Sequence, residues 1–331
     1  TFDIQEETSS IVYNEGYNSP ADDDPVENLV EKLLNDMTVE EMVAGMFLVS
    51  PEAITGVETA IQAGEGTKTA LAENPVGGFV YAAKNYKSQE QFTQMLAKAK
   101  MYSKYPLFRA VLAESGATDY GLTATPKTSE LPDADSVTQA YGSISSALAS
   151  YGVDMNLAPT VLGDAALTSA AVQAVQGAKI NAVLRSFPGD AAASKSLDEL
   201  QGSEFVLYDT VIKNGVDCIM VSHASAKGIT GDDTPSSMSS VVIQDVLRNT
   251  LGFRGVVMTA ALNDSAVTGA YSPAEAAVAA VQAGADLLLL PEDYKEAYEG
   301  VLQAVTDGTI TKERIRESMY RIYRVKYKNT L

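Results

Sequence analysis

Residues able to carry chemistry are few in this chain, and they recur at one kind of place, just after short apolar runs. Glu114 follows Phe108–Ala113, Asp190 comes soon after Asn181–Leu184, His223 follows Cys218–Ser222, and Asp264 comes soon after Gly255–Thr259. Arg185 directly follows its run, and Lys84 and Asn85 lie a few residues past Val76–Tyr81. Carboxylates, a histidine and cations at the ends of strands are groups that move protons or hold polar ligands. Other chemistries are excluded by residue type. One histidine and one cysteine cannot build the usual zinc sites, and a lone cysteine forms no disulfide within the chain. Cys218, in an apolar Cys-Ile-Met-Val run, reads as a small buried hydrophobe. Serine-nucleophile motifs, P-loops and dinucleotide fingerprints are absent, because the glycines at 77 and 78 precede a strand instead of opening a helix. No metal or cofactor is expected.

The elements that must position these residues are clearest over 251–291. Gly255–Thr259 is a short β-branched run and Asp286–Leu290 an apolar one, both compatible with strands buried on two faces. Between them Ser272 and Pro273 open an alanine-rich helix, Ala274–Gln282, which Gly284 closes. This is one βαβ unit. The same alternation runs through the chain, with a first strand ending near Ser50 and others at Val76–Tyr81, Phe108–Ala113, Val153–Ala158, Asn181–Leu184 and Cys218–Ser222. Helical spacing marks 26–37, 89–103, 136–149, 167–178, 197–214, 239–250, 294–305 and 312–327. Eight strands alternating with helices point to a β/α barrel over an open doubly wound sheet, although periodicity does not decide closure.

Composition bounds the partners. A chain of 331 residues, 46% hydrophobic, buries a large core. Its formal charge of −19 opposes nucleic acid and anionic membranes, and no apolar run is long enough to span a bilayer. Residues 1–24 are acidic, without a basic residue, and read as a flexible extension leading from an upstream lipid or wall anchor. No signal peptide begins at Thr1, and a start at threonine reads as a processed chain.

Several stretches resemble the N-terminal catalytic domain of glycoside hydrolase family 3, in the branch of the bacterial β-N-acetylglucosaminidases. Leu251-Gly-Phe-x-Gly255, Ala283-Gly-Ala-Asp286, Met220-Val-Ser-His223 and the opening Met37-Thr-x-Glu-Glu41 carry the resemblance, which covers about 26–327. It implies a single (β/α)8 TIM-type barrel, possibly irregular, over 25–331, with working residues on the loops after the strands.

The resemblance also exposes losses. Where the family places its nucleophilic aspartate after the seventh strand, this chain has Ala260. The loop that supplies the family's acid/base group is cut to Arg185-Ser-Phe-Pro-Gly-Asp190 followed by a short alanine-rich link. Family aspartates that hold sugar hydroxyls are replaced at Leu112 and Leu162. Hydrolysis with retention requires two carboxyl groups about 5 Å apart, one as nucleophile and one as acid/base. Asp264 and Asp190 read either as displaced members of such a pair or as a helix-capping acid and part of a shortened link, and the second reading is favoured. Glu114 is a hydrogen-bond acceptor at the mouth or a structural acid; His223 is a binding residue or a structural one. Lys84 and Asn85 match the family's Arg-Asn with the charge kept.

The leading expectation is a domain that has lost hydrolysis and binds carbohydrate or cell wall, or scaffolds proteins. An alternative is an active β-N-acetylhexosaminidase or β-glucosidase using displaced carboxylates, and a third is a protein-interaction domain whose pocket is filled by Leu112 and Leu162. Expected partners are a β-linked saccharide or peptidoglycan fragment, or a protein, with no nucleic acid and no membrane insertion. The expected location is extracellular, at a bacterial cell envelope.

Overall fold

Eight short parallel strands form the centre: β1 Phe47–Val49, β2 Gly78–Val80, β3 Phe108–Val111, β4 Met155–Asn156, β5 Asn181–Phe187, β6 Cys218–Val221, β7 Val256–Thr259 and β8 Leu288–Leu289. This computed structural model describes residues 24–330, so the extension expected over 1–24 lies, apart from Asp24, outside the described residues. The strands pair in the order β7-β6-β5-β4-β3-β2-β1-β8, and a parallel bridge from Met258 to Leu287 joins the two ends. The result is an irregular, nearly closed (β/α)8 barrel. Every residue of β6 and β7 is buried, as parallel strands covered on both faces must be.

Helices form where the local signals place them. Asp24 accepts from the amide of Val26 at 2.9 Å and caps Pro25–Asp36, and Ser272 and Glu275 close a reciprocal cap on Pro273–Ala283. Two departures from the sequence reading stand out. Between β1 and β2 the chain forms helices Pro51–Thr55 and Glu65–Glu73, where none was expected, because threonine and glycine hide the apolar period. The single helix expected over 197–214 is two, Leu197–Gln201 and Phe205–Lys213, broken at Gly202 and Ser203.

The foot of the barrel is sealed by the C-terminal helix Lys312–Lys328. Asp286, fully buried ahead of β8, accepts from Arg248 at 2.7 Å, Arg321 at 3.0 Å, Ser318 at 2.7 Å and the Val257 amide at 2.9 Å. Lys328 pairs with Asp217 ahead of β6. Lys326 donates to the carbonyls of Gly77 at 2.9 Å and Pro106 at 2.6 Å, with its ammonium 4.6 Å from the ring centres of Phe108 and Tyr323. No helix among the described residues is long and apolar enough to cross a membrane. With the foot closed, the opposite end, where the strands finish, is free to carry the working loops.

Candidate functional site

Glu114 leaves the end of β3 and ties it to the helix Ala134–Tyr151, the loop after β4 and strand β5. Its Oε1 accepts from the Thr160 amide at 2.7 Å and from Arg185 Nη2 at 2.9 Å, and its Oε2 accepts from the Tyr141 hydroxyl. Burial and the neighbouring Glu114 charge push the Tyr141 phenol well above its ordinary value, so it stays a donor. The carboxylate is therefore fully engaged, neutralising Arg185 of β5 and fixing the loops after β3 and β4.

His223 does the same across β6 and β7. Its Nε2 lies 2.8 Å from the Ala261 carbonyl and its Nδ1 2.8 Å from the Ser237 hydroxyl. A carbonyl only accepts, so Nε2 carries the proton and Nδ1 accepts from serine; this tautomer follows from the network. Both ring nitrogens are occupied within the protein, which makes the ring a brace between loops.

Directly after β7, the Ala260 amide donates to the Val221 carbonyl at 2.9 Å, and its side chain is a methyl group. Asp264 is exposed, and its Oδ1 accepts from the Ala266 amide at 2.8 Å, capping Ser265–Thr268. Lys84 and Asn85 belong to the far side of the barrel. Asn85 is fully buried and donates to Glu52 Oε2 at 3.1 Å and the Ala60 carbonyl at 2.8 Å, while Lys84 pairs with Glu52 at 3.2 Å. These two stitch the loops after β1 and β2.

Of the residues singled out in the sequence, Arg185 and Asp190 share a cavity. It has a volume of about 780 Å³ and opens where β4, β5 and β6 end. Asp164, Ser222, Glu204, Val206 and Tyr208 line it too. The Tyr208 hydroxyl donates to the Ser186 carbonyl at 2.6 Å, and burial together with the Asp190 charge pushes its pKa up. Sequence reasoning missed Tyr208 because it sat inside a helical pattern; its reach back to the β5 loop has no local signature. The link after β5 is a single turn, Asp190–Ala193, followed by the helix Leu197–Gln201. The mouth is not filled as one reading required: Leu162 is buried, but Leu112 is 41% exposed. Among the described residues, no cluster of three or more His, Cys, Asp and Glu is disposed to hold a metal.

Three carboxylates line the cavity, Asp164, Asp190 and Glu204. Asp164 spends one oxygen on the Leu167 amide at 2.9 Å, capping the helix Ala165–Gly177. Glu204 is held at a pKa of about 2 by hydrogen bonds from Lys195 and Ser203, so it is no proton donor near neutral pH. Asp190 has neither an ion pair nor a hydrogen bond, and Asp164 has no cationic partner.

Comparison with known proteins agrees with this architecture. Residues 163–325 match the family model "Glycosyl hydrolase family 3 N terminal domain". A beta-hexosaminidase from Nitrosomonas eutropha is 27% identical over 277 residues, covering 71% of this chain and 79% of the relative. A beta-N-acetylglucosaminidase/beta-glucosidase from Cellulomonas fimi is 27% identical over 182 residues, 49% of this chain and 32% of the relative. The solved family 3 beta-N-acetylglucosaminidase from Paenibacillus sp. str. FPU-7 superposes with a TM-score of 0.79 at 26% identity, over 89% of this chain and 63% of its own. The chain thus spans less than two thirds of the Paenibacillus and Cellulomonas proteins.

Proposed function

Taking as premise that this chain carries the N-terminal domain of glycosyl hydrolase family 3 and is related to β-hexosaminidases, we propose that it binds a β-linked saccharide without hydrolysing it. The observation that carries this reading is the methyl group that ends β7, together with the engagement of the neighbouring carboxylates. Of the acids lining the cavity, Asp164 caps a helix, Glu204 pairs with Lys195 and Asp190 accepts no hydrogen bond, while Asp264 caps a helix elsewhere and Glu114 is taken up by Arg185, Thr160 and Tyr141. Glycoside hydrolysis needs a nucleophile or base and an acid on either side of one bond. A cavity of about 780 Å³ nonetheless persists, within the range of small-ligand sites. Its polar groups, Arg185, Ser222 and Asp190, can meet sugar hydroxyls, and Val206 and Tyr208 can cover the apolar face of a ring. Muropeptides and other β-linked oligosaccharides at a bacterial cell envelope are the ligand class and setting this reading favours.

The test is calorimetric titration of β-linked oligosaccharides onto the protein and onto a cavity-filling Ala191→Trp variant. Heat of binding is expected for the parent protein and loss of at least about tenfold in affinity for the variant, the equivalent of about 1.4 kcal/mol, with the melting temperature kept. Equal affinity in both would overturn the placement of the ligand.

A second reading rests on a specific feature of the cavity lining: Val161 and Val206 are 37% and 52% exposed. Apolar side chains grouped at a mouth also suit a protein partner. Failure of every saccharide to bind, with retention of a protein partner lost on Val206→Asp, would favour it.

A further inference from the structure

The saccharide reading leaves open which sugar chemistry the cavity selects, and its charges are unequal. One cation, Arg185, and three acids, Asp164, Asp190 and Glu204, line it. Two of these four are already neutralised by groups behind the wall. Arg185 is paired with Glu114 at 2.9 Å, and Glu204 with Lys195 at 2.6 Å. Asp164 accepts one backbone hydrogen bond but has no cationic partner, and Asp190 has neither an ion pair nor a hydrogen bond. The cavity therefore keeps about two uncompensated negative charges. The influence of Asp190 on the Tyr208 hydroxyl puts its charge close to that side chain on the cavity wall.

We propose, resting on that saccharide reading, that the cavity selects a β-linked oligosaccharide bearing a free 2-amino group over one whose amines are acylated, with Asp190 as the specificity-determining residue. A neutral acetamido group gains hydrogen bonds here and nothing from the charge. An ammonium gains both, because charge-assisted hydrogen bonds are roughly twice as strong as neutral ones. Burial of the ring against Val161, Val206 and Tyr208 is common to both sugars, so the discrimination comes from the acids. The whole-protein charge of −19 raises the encounter rate of a cationic sugar but does not by itself select a site.

The experiment titrates a β-1,4-linked glucosamine tetramer and its fully N-acetylated counterpart onto the protein and onto Asp190→Asn, at pH 6 in low and in moderate salt. The expected result is a preference of about threefold or more for the amine form in the parent protein, falling towards unity in Asp190→Asn, the size of one solvent-exposed charge contact. Equal binding of the two tetramers by the parent protein overturns the inference while leaving the saccharide reading intact. A preference that survives in Asp190→Asn also overturns it, because general attraction to an acidic protein would then explain the result. Binding of neither tetramer removes the saccharide reading and the inference together.

Discussion

At the scale of single residues, charge placement decides what the barrel mouth can do. Glu114 is a hub because three donors, from the helix Ala134–Tyr151, the loop after β4 and strand β5, converge on one carboxylate. Glu114→Ala leaves the Arg185 guanidinium partly buried beside an unpaired phenol and amide. We expect a loss of about 2 kcal/mol in denaturant unfolding, below the figure for fully buried pairs because Arg185 keeps 25% exposure. A loss under about 0.5 kcal/mol would show that the loops hold themselves. The sequence, through its resemblance, already pointed to Ala260 and to the shortened β5 link. It could not show that Tyr141 and Thr160 share Glu114, since those contacts span 27 and 46 residues and follow no local period.

At the scale of elements, the C-terminal helix is the piece that makes the barrel hold. Burial alone pushes the Asp286 carboxyl up, but Arg321, Arg248 and Arg314 outweigh it and hold the group below its ordinary value. A depressed folded pKa adds stability that is present above the unfolded value and is lost as pH falls through the folded one. Asp286→Ala, which leaves Arg248 and Arg321 facing an uncharged gap, should cost about 3–5 kcal/mol and flatten the acid limb of the stability curve. A shift under about 1 kcal/mol in urea unfolding would contradict this.

Lys326 works with the opposite sign. Burial lowers its pKa to about 7, with Asp154 opposing the shift. Between that value and the unfolded one, about 10.4, the unfolded chain binds more protons, so stability rises with pH. Relative to Lys326→Met, the parent protein should gain on the order of 1–3 kcal/mol between pH 7 and 9, measured by urea unfolding at both values. No difference in slope between the two proteins would contradict the assignment. These helix-to-foot contacts were invisible in the sequence, where Lys312–Lys328 showed only its amphipathic period. Helices Pro51–Thr55 and Glu65–Glu73 were missed for a related reason: short, polar and held by packing, they carry little period of their own.

For the whole molecule, the order of strands and helices was legible because each βα unit announces itself locally, through a β-branched run, a capped helix and a closing glycine. Closure of the ring was not, since it depends on pairing across about 29 residues, through the Met258–Leu287 bridge and the backbone hydrogen bonds of Val257 and Thr259 with Asp286 and Leu287, and on a foot sealed by distant charges. The barrel is thus a nearly closed scaffold whose mouth keeps a cavity lined by Arg185 and by the acids Asp164, Asp190 and Glu204. The proposal of binding without turnover rests on that mouth. The most direct test is the rate at which the protein releases the fluorescent aglycone from 4-methylumbelliferyl β-N-acetylglucosaminide and β-glucoside, compared with an Asp190→Asn/Asp264→Asn double variant. Indistinguishable rates are expected; a parent protein faster than the double variant would show that displaced carboxylates do hydrolyse, and would contradict the account.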